Sequence, residues 1–247
     1  MARCIRQCRH EMFTVTALTL FPEMFPGPLG HSLAGKALKD GRWALNTVQI
    51  KAFATDKHQR VDGPPSGGGA GLVMRADVLD TAIESTVDDR PLIYLTPRGA
   101  PIRQETVRSL AAGPGLRLLC GRYEGVDQRV LDKWQPLELS MADFILSGGE
   151  IAALSLIDAC VRLVPGVMGN ASSGHDESFE NGLLEYPLYT KPRVWQNRAV
   201  PDVLVSGDHG AVEQWRLDQS KAMTQQRRPD LWTAFEKRGA RMDRDDK

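Results

Sequence analysis

Three short apolar segments, each followed at once by a turn that contains glycine, constrain the fold more than any other feature of this chain. The turns are residues 95–99 (LTPRG), 120–125 (CGRYEG) and 145–150 (ILSGGE). Stretches of helical composition separate them, and short buried strands that alternate with helices are typical of a parallel sheet. Ligands of such sheets bind at the carboxyl ends of the strands. The sequence therefore predicts an α/β fold with a small-molecule site built from these turns.

Hydrophobic periodicity predicts the other elements. The predicted strands are residues 13–20, 45–53, 91–96, 116–120 and 143–146, and the predicted helices are 31–40, 77–87, 104–112, 150–164 and 211–226. Residues 169–178 are mostly small and polar, as in a linker, and the pattern after them is mainly helical. We therefore expect an α/β domain over 12–168, a linker over 169–178 and a small, mostly helical C-terminal domain over 179–235. Residues 1–11 and 236–247 are expected to be a disordered extension and a disordered tail.

Composition excludes several other classes. Of the 247 residues, 42% are hydrophobic, which is too many for a disordered chain, and no apolar run is long enough to span a membrane. The four cysteines form neither a disulfide scaffold nor a set of zinc ligands, so we expect reduced thiols and a cytoplasmic protein. The fingerprints G-x-G-x-x-G and G-x-x-x-x-G-K-[ST] are absent, which argues against dinucleotide dehydrogenases and P-loop kinases.

Positive charge is concentrated at the two ends of the chain. Residues 1–60 contain nine basic and four acidic side chains, although the whole chain has no net charge. This distribution permits a nucleic-acid partner without requiring one. Residues 62–71 (DGPPSGGGAG) form a predicted loop with two open interpretations. It is either an ordinary surface loop or a loop whose backbone N–H groups order around a polyanion.

Several strings of residues resemble one known family. They are FPEMF (21–25), LTPRG (95–99), CGRYEGVDQRV (120–130), ADFILSGGE (142–150), SFENGLLEYPLYTKP (178–192), VPDVLVSGDHGAVEQWR (200–216) and RRPDL (227–231). Together they are similar to bacterial tRNA (guanine-N1)-methyltransferase, which methylates the guanosine immediately 3′ of the anticodon. The resemblance covers residues 13–231. It implies a trefoil-knotted α/β domain of the SPOUT class that works as a homodimer, with active sites shared between subunits.

The resemblance also implies S-adenosylmethionine as the methyl donor, held in the knot mostly by backbone atoms. The implied contacts are Tyr94, Leu95, Thr96, Pro97, Gly121, Tyr123, Glu124, Gly125, Ser140, Met141, Ala142, Asp143, Phe144, Ile145, Leu146, Gly148 and Gly149. Ala142 stands where the family has glycine, a change that a main-chain contact would tolerate. Glu124 could instead pair with Arg122 or Arg129. Mg²⁺ has been linked to the family, but the sequence contains no carboxylate cluster that identifies ligands for it.

Guanine N1 carries a proton, so methyl transfer to it needs a base near N1 and a donor to O6. In the family the proposed base is an aspartate at the end of the linker. The matching residue here is Glu177, with Asp176 beside it as the alternative. Arg162 matches the family arginine that stabilises charge on O6. From the sequence alone, Arg162 could equally reach solvent from a helix end, and the two carboxylates could be a solvated acidic pair.

Basic, polar and aromatic residues are expected to bind the tRNA anticodon stem-loop. They are Lys57, His58, Arg60, Ser206, His209, Trp215, Arg216, Arg227 and Arg228. Trp215 could stack on a base or belong to a helical core. Two other functions stay open. One is a SPOUT enzyme that methylates ribose 2′-OH, against which the carboxylate and arginine argue. The other is an RNA-binding protein that lost catalysis when the linker aspartate became glutamate.

Overall fold

The structure is a computed structural model that describes residues 12–168, 177–179 and 181–245, with side chains described as far as residue 238. The predictions for residues 1–11, for most of the linker and for Asp176 lie outside this part of the chain. The chain divides into two compact units between Gly169 and Asn170. Each unit is therefore described by itself.

A five-stranded sheet in the order β2-β1-β6-β5-β7 forms the centre of the first unit, and every neighbouring pair in it is parallel. Its strands are β1 (Phe13–Thr19), β2 (Trp43–Gln49), β5 (Leu92–Pro101), β6 (Gly115–Leu119) and β7 (Leu137–Ser140). Two short strands, β3 (Asp62–Gly63) and β4 (Val73–Met74), pair separately and antiparallel. The parallel sheet confirms the predicted α/β class.

Helices pack on both faces of this sheet. They are α1 (Ser32–Lys39), α2 (Ala76–Glu84), α3 (Gln104–Ala111), α4 (Gln128–Trp134) and α5 (Gly149–Val161). Buried residues of α1, α3 and α5 form one hydrophobic cluster with the sheet, and those of α2 and α4 form the other. All five residues of β6 are buried, because a central parallel strand is covered on both faces.

One predicted strand is wrong. Residues 143–146 are irregular, and the edge strand is Leu137–Ser140, which the sequence pattern did not indicate. The apolar run misled the prediction because two of its three apolar side chains are exposed: Phe144 is 54% and Ile145 79% exposed. Only Leu139 and Ser140 of the real strand are buried, so the strand carries a weak hydrophobic signal.

The second unit contains a short antiparallel pair and two long helices. The pair is β8 (Val194–Trp195) with β9 (Arg198–Ala199), and the helices are α6 (His209–Arg227) and α7 (Pro229–Asp245). Asp208 begins α6 by accepting a hydrogen bond from the Ala211 N–H at 3.0 Å. The tail that we expected to be disordered from residue 236 is instead helical as far as Asp245.

Candidate active site

The three glycine-containing turns meet around one cavity of about 300 Å³ in the first unit. They do so because β5 lies between β6 and β7, and parallel neighbours end at the same edge of the sheet. Its lining is Tyr94, Leu95, Thr96, Pro97, Arg98, Gly121, Arg122, Tyr123, Glu124, Gly125, Ser140, Met141, Ala142, Phe144, Ile145, Leu146, Ser147, Gly148, Gly149 and Ala152. Every residue predicted to contact the methyl donor is in this set except Asp143, which is exposed beside it.

Close packing of neighbouring atoms explains why glycine is needed at two of these turns. The Gly149 N–H donates to the Gly121 carbonyl oxygen at 2.8 Å, which joins the second turn to the third. A Cβ on Gly149 would lie 2.9 Å from Cys120 Cα, and a Cβ on Gly121 would lie 2.8 Å from the Tyr94 ring. Side chains at either position would therefore push the turns apart and change the shape of the cavity.

The Tyr94 ring packs against Gly121 and Gly125 of the second turn. Its side chain is 3% exposed, and burial raises the pKa of the phenol above its ordinary value of 10.0, although a hydrogen bond with Thr96 acts in the opposite direction. The phenol therefore stays neutral at physiological pH. Residues 96–99 form an irregularity in β5, which pairs with β7 on either side of it. Thr96, Pro97 and Arg98 of this irregularity line the cavity.

Two charged residues of the site were not predicted. Glu150 is completely buried, and its Oε2 lies 2.8 Å from Nε of Arg122, whose side chain is 17% exposed. The other oxygen, Oε1, accepts a hydrogen bond from the Thr19 hydroxyl at 2.7 Å. Both charged residues stand in the quoted strings CGRYEG and LSGGE. No local pattern, however, could show that side chains 28 positions apart in sequence form a pair.

Glu124 lines the cavity and does not form either of the ion pairs that the sequence left open. Arg122 pairs with Glu150, and Arg129 pairs with Asp127 at 2.8 Å. The Glu124 N–H donates to the Leu72 carbonyl oxygen at 2.9 Å, and a Cβ on Gly71 would overlap the Glu124 carboxylate. The end of the glycine loop is therefore attached to the second turn.

The basic residues before the glycine loop are at the surface of the first unit. Lys57, His58 and Arg60 are exposed. The Asp56 carboxylate accepts hydrogen bonds from two backbone N–H groups of this turn, and Arg75 lies 3.0 Å from it. The turn thus has a defined conformation, in which its cationic side chains face solvent.

Arg162 does not line the cavity of the glycine turns. It follows the last residue of α5, is half-buried, and lines a separate cavity of about 240 Å³. His31 and Ser32, at the start of α1, and Asp158 share this second cavity. The structure thus places Arg162 in a cavity at the end of α5, and its role toward O6 stays a prediction.

Glu177 belongs to the second unit. It is half-buried and lines a cavity of about 260 Å³ together with Tyr186, Glu213 and Arg216. The residues after it are well held, because the Glu185 N–H donates to the Ser178 hydroxyl at 3.0 Å and the Phe179 N–H donates to the Leu183 carbonyl oxygen at 2.8 Å.

A further cavity of about 430 Å³ in the second unit contains two of the predicted RNA-binding residues, Trp215 and Arg216. The Trp215 and Tyr189 rings are 6.2 Å apart, and the Arg216 guanidinium lies 4.8 Å from the centre of the Tyr186 ring. The lining contains Lys191, Arg193 and Arg216 but no acidic residue. Trp215 is therefore a wall residue of a basic, aromatic cavity.

The other predicted RNA-binding residues of the second unit lie in α6 or within three residues of its ends. Ser206, His209 and Arg227 are exposed, and Arg228 pairs with Asp230 at 2.6 Å. Nowhere in the described chain do three or more His, Cys, Asp or Glu side chains cluster as a metal site would require. None of the helices described combines the length and the apolar character needed to cross a bilayer.

Comparison with known proteins gives a consistent result. The family model described as tRNA (Guanine-1)-methyltransferase TrmD matches residues 13–234. A protein of Brucella ovis and one of Brucella melitensis biotype 1, both named tRNA (guanine-N(1)-)-methyltransferase, are each 59% identical over 223 residues, which cover 90% of this chain and 92% of theirs. A Brucella suis relative of the same name is 59% identical and covered over 91% of its length.

Proposed function

This chain belongs to the tRNA (guanine-N1)-methyltransferase family, and from that premise we propose how it methylates its substrate. It is an enzyme that transfers a methyl group to N1 of guanine in tRNA. We propose that the methyl donor is S-adenosylmethionine and that the target is the guanosine immediately 3′ of the anticodon. The observation that carries this proposal is the cavity at which the three glycine turns meet.

The shape of this cavity fits a donor gripped by backbone. Its volume of about 300 Å³ is typical of a small-molecule site, and the glycines at 121 and 149 let the turns that line it pack closely. The proposed contacts are residues 94–97, 121–125, 140–146 and 148–149. When bound, the donor supplies an electrophilic methyl group on a sulfonium. The exposed side chains of Phe144 and Ile145 lie at the cavity and suit an apolar cover.

Two side chains would act on the guanine. Glu177 would accept the N1 proton, which raises the nucleophilicity of N1, and Arg162 would donate to O6, where negative charge develops. Asp176 stays the alternative base. We assign no residue to the Mg²⁺ linked to the family, because the described residues contain no cluster of three or more His, Cys, Asp or Glu that identifies its ligands.

A homodimer would bring these groups together. Arg162 and the glycine turns line separate cavities of one unit, whereas the reaction needs the O6 donor beside the methyl donor. We propose that a second copy of the chain completes each active site. We also propose, from the family resemblance, that the first domain is knotted and that the enzyme is cytoplasmic. Mixing Arg162→Ala protein with Gly148→Ala protein during refolding tests the shared site. At a low concentration of methyl donor both homodimers should be impaired, and the mixture should be more active than the mean of the two; no such gain would mean that each active site is built within one chain.

Binding of tRNA is proposed to use the exposed cations of both units. Lys57, His58 and Arg60 would contact phosphates, as would Ser206, His209, Arg227 and Arg228. The aromatic, basic cavity around Trp215 and Arg216 is suited to the unpaired part of the anticodon loop, because single-stranded bases are bound by stacking and by cations.

The chemistry is tested with unmodified tRNA and S-adenosylmethionine labelled in the methyl group. Mass spectrometry of the digested tRNA should find 1-methylguanosine, and a tRNA with adenosine at the target position should not be labelled. Ribose-methylated guanosine, or no product, would contradict the proposal.

A further inference from the structure

The buried pair of Arg122 and Glu150 is the part of the site that the mechanism does not use. Arg122 lines the methyl-donor cavity, and Glu150 lies behind it with no exposed surface. Neither Nε of Arg122 nor Oε2 of Glu150 has a hydrogen-bond partner within the described chain, so the 2.8 Å contact between them is electrostatic. A buried ion pair adds little net stability, because desolvation offsets most of the attraction.

Arg122 is held in place from several sides. Its Nη1 donates to the Ser147 carbonyl oxygen at 3.2 Å, its Nη2 lies 3.5 Å from the Met24 sulfur, and its guanidinium stacks 4.4 Å from the centre of the Phe21 ring. A Cβ on Gly148 would overlap the guanidinium. The positive charge therefore has a defined position at the cavity wall.

Glu150 is held equally well. It is the second residue of α5, where the helix dipole favours a negative charge, and the Thr19 hydroxyl donates to its Oε1 at 2.7 Å. The charged residues that line the cavity are Arg98, Arg122 and Glu124, two positive and one negative. The negative charge of Glu150, behind the cavity wall, brings the sum of these charges to zero.

We infer that Glu150 neutralises Arg122 so that the cavity accepts a cationic ligand, a sulfonium, without repulsion. The inference rests on the proposed use of S-adenosylmethionine. It makes Glu150 a positioning and specificity residue that acts through Arg122. This role predicts that Glu150 affects the relative affinity for two ligands of nearly the same shape. They are S-adenosylmethionine, whose sulfur is positive, and S-adenosylhomocysteine, whose sulfur is neutral.

The test is calorimetric titration of both ligands into the full-length protein and into Glu150→Gln. The substitution leaves an unbalanced charge on Arg122. The ratio of the Kd of S-adenosylmethionine to that of S-adenosylhomocysteine should rise by about fivefold at low salt, an effect of one charge within the low-dielectric wall. The double variant Arg122→Gln/Glu150→Gln should restore the wild-type ratio, and Arg122→Lys should leave the ratio unchanged even where both affinities fall.

The control is Asp80→Asn, which removes the carboxylate of an ion pair with Lys133 and does not touch the cavity lining. Equal weakening of both ligands in Glu150→Gln would overturn the inference, because a merely structural pair affects both alike. If Glu150→Gln does not fold, Arg122→Gln should shift the ratio in the opposite direction, and an unchanged ratio there would also overturn it. Failure of wild-type protein to bind S-adenosylmethionine would instead contradict the proposed function.

Discussion

At the scale of single residues, the site depends on positions where any side chain would displace a neighbour. Gly148 is such a position because the Arg122 guanidinium occupies the space that a Cβ would need. Gly63 is a suitable contrast, because a Cβ there meets nothing within 4 Å. Glycine is therefore required at Gly148, where the neighbouring guanidinium leaves no space for a Cβ, and is not required at every position that has it.

We expect Gly148→Ala to weaken binding of the methyl donor by about tenfold or more, since overpacking costs roughly 1–3 kcal/mol and here moves Arg122. Titration with S-adenosylmethionine measures the effect. Gly63→Ala should bind as the wild type does. Equal affinity of the two variants would show that Arg122 can move without disturbing the site.

Replacing Arg162 with alanine should lower kcat by about 10²-fold or more, as expected for loss of a donor to a developing oxyanion. Affinity for the methyl donor should stay nearly the same, because Arg162 does not line that cavity. Single-turnover rates and ligand titrations separate the two quantities. A parallel loss of both would count against the role assigned to Arg162.

The base is tested by comparing Glu177→Gln with Asp176→Asn. Glu177→Gln should be the more damaging, with a loss of about 10²-fold or more, because only the carboxylate accepts the N1 proton. Rates measured on unmodified tRNA decide between the two residues. The opposite order would move the base one position along the chain.

At the scale of elements, the Asp80 carboxylate links α2 to α4 by hydrogen bonds. Asp80 of α2 accepts hydrogen bonds from Lys133 Nζ at 2.6 Å and from the Trp134 indole N–H at 2.7 Å. The hydrogen bond from Lys133 lowers the pKa of Asp80 below its ordinary value of 3.8, although burial acts in the opposite direction. This contact lies outside the cavity lining, so it reports on stability alone.

Asp80→Asn should reduce the free energy of unfolding at neutral pH by at most about 1 kcal/mol, because the pair is partly exposed. The folded-state pKa is lowered, so the stabilisation is present above the unfolded-state pKa and is lost as the pH falls through the folded value. In urea unfolding, the difference between the two proteins should therefore begin to shrink below a pH of about 4 and disappear once the pH is below the folded-state pKa of Asp80. A constant difference at all pH values would contradict this.

At the scale of the whole molecule, tRNA binding is proposed to be electrostatic and spread over both units. Arg227 is exposed near the end of α6, and Arg129 is exposed on α4 of the other unit, where it pairs with Asp127. We expect Arg227→Ala to weaken tRNA binding and to reduce the slope of log K against log salt by about 1, the value for one lost phosphate contact. Filter binding over a salt series measures the slope, with Arg129→Ala as the control that should leave it unchanged.

The sequence by itself determined the α/β class, the family and nearly all the residues around the main cavity. The α/β class follows from local patterns, because short apolar runs before glycine turns, with helices between them, indicate a parallel sheet whose strand ends share an edge. The family and the residues expected at the cavity follow from the resemblance of the quoted strings to known methyltransferases. The position of the edge strand could not be predicted, because Leu137–Ser140 carries a weaker apolar signal than the exposed run at 143–146.

Only the tertiary structure decided which charges meet. Arg122 could have paired with Glu124 on sequence grounds, and the fold placed Glu150 beside it instead. The fold also placed Arg162 at a second cavity. Ion pairs and cavities join residues far apart in the chain, and their formation depends on how strands and helices pack, which no local pattern contains.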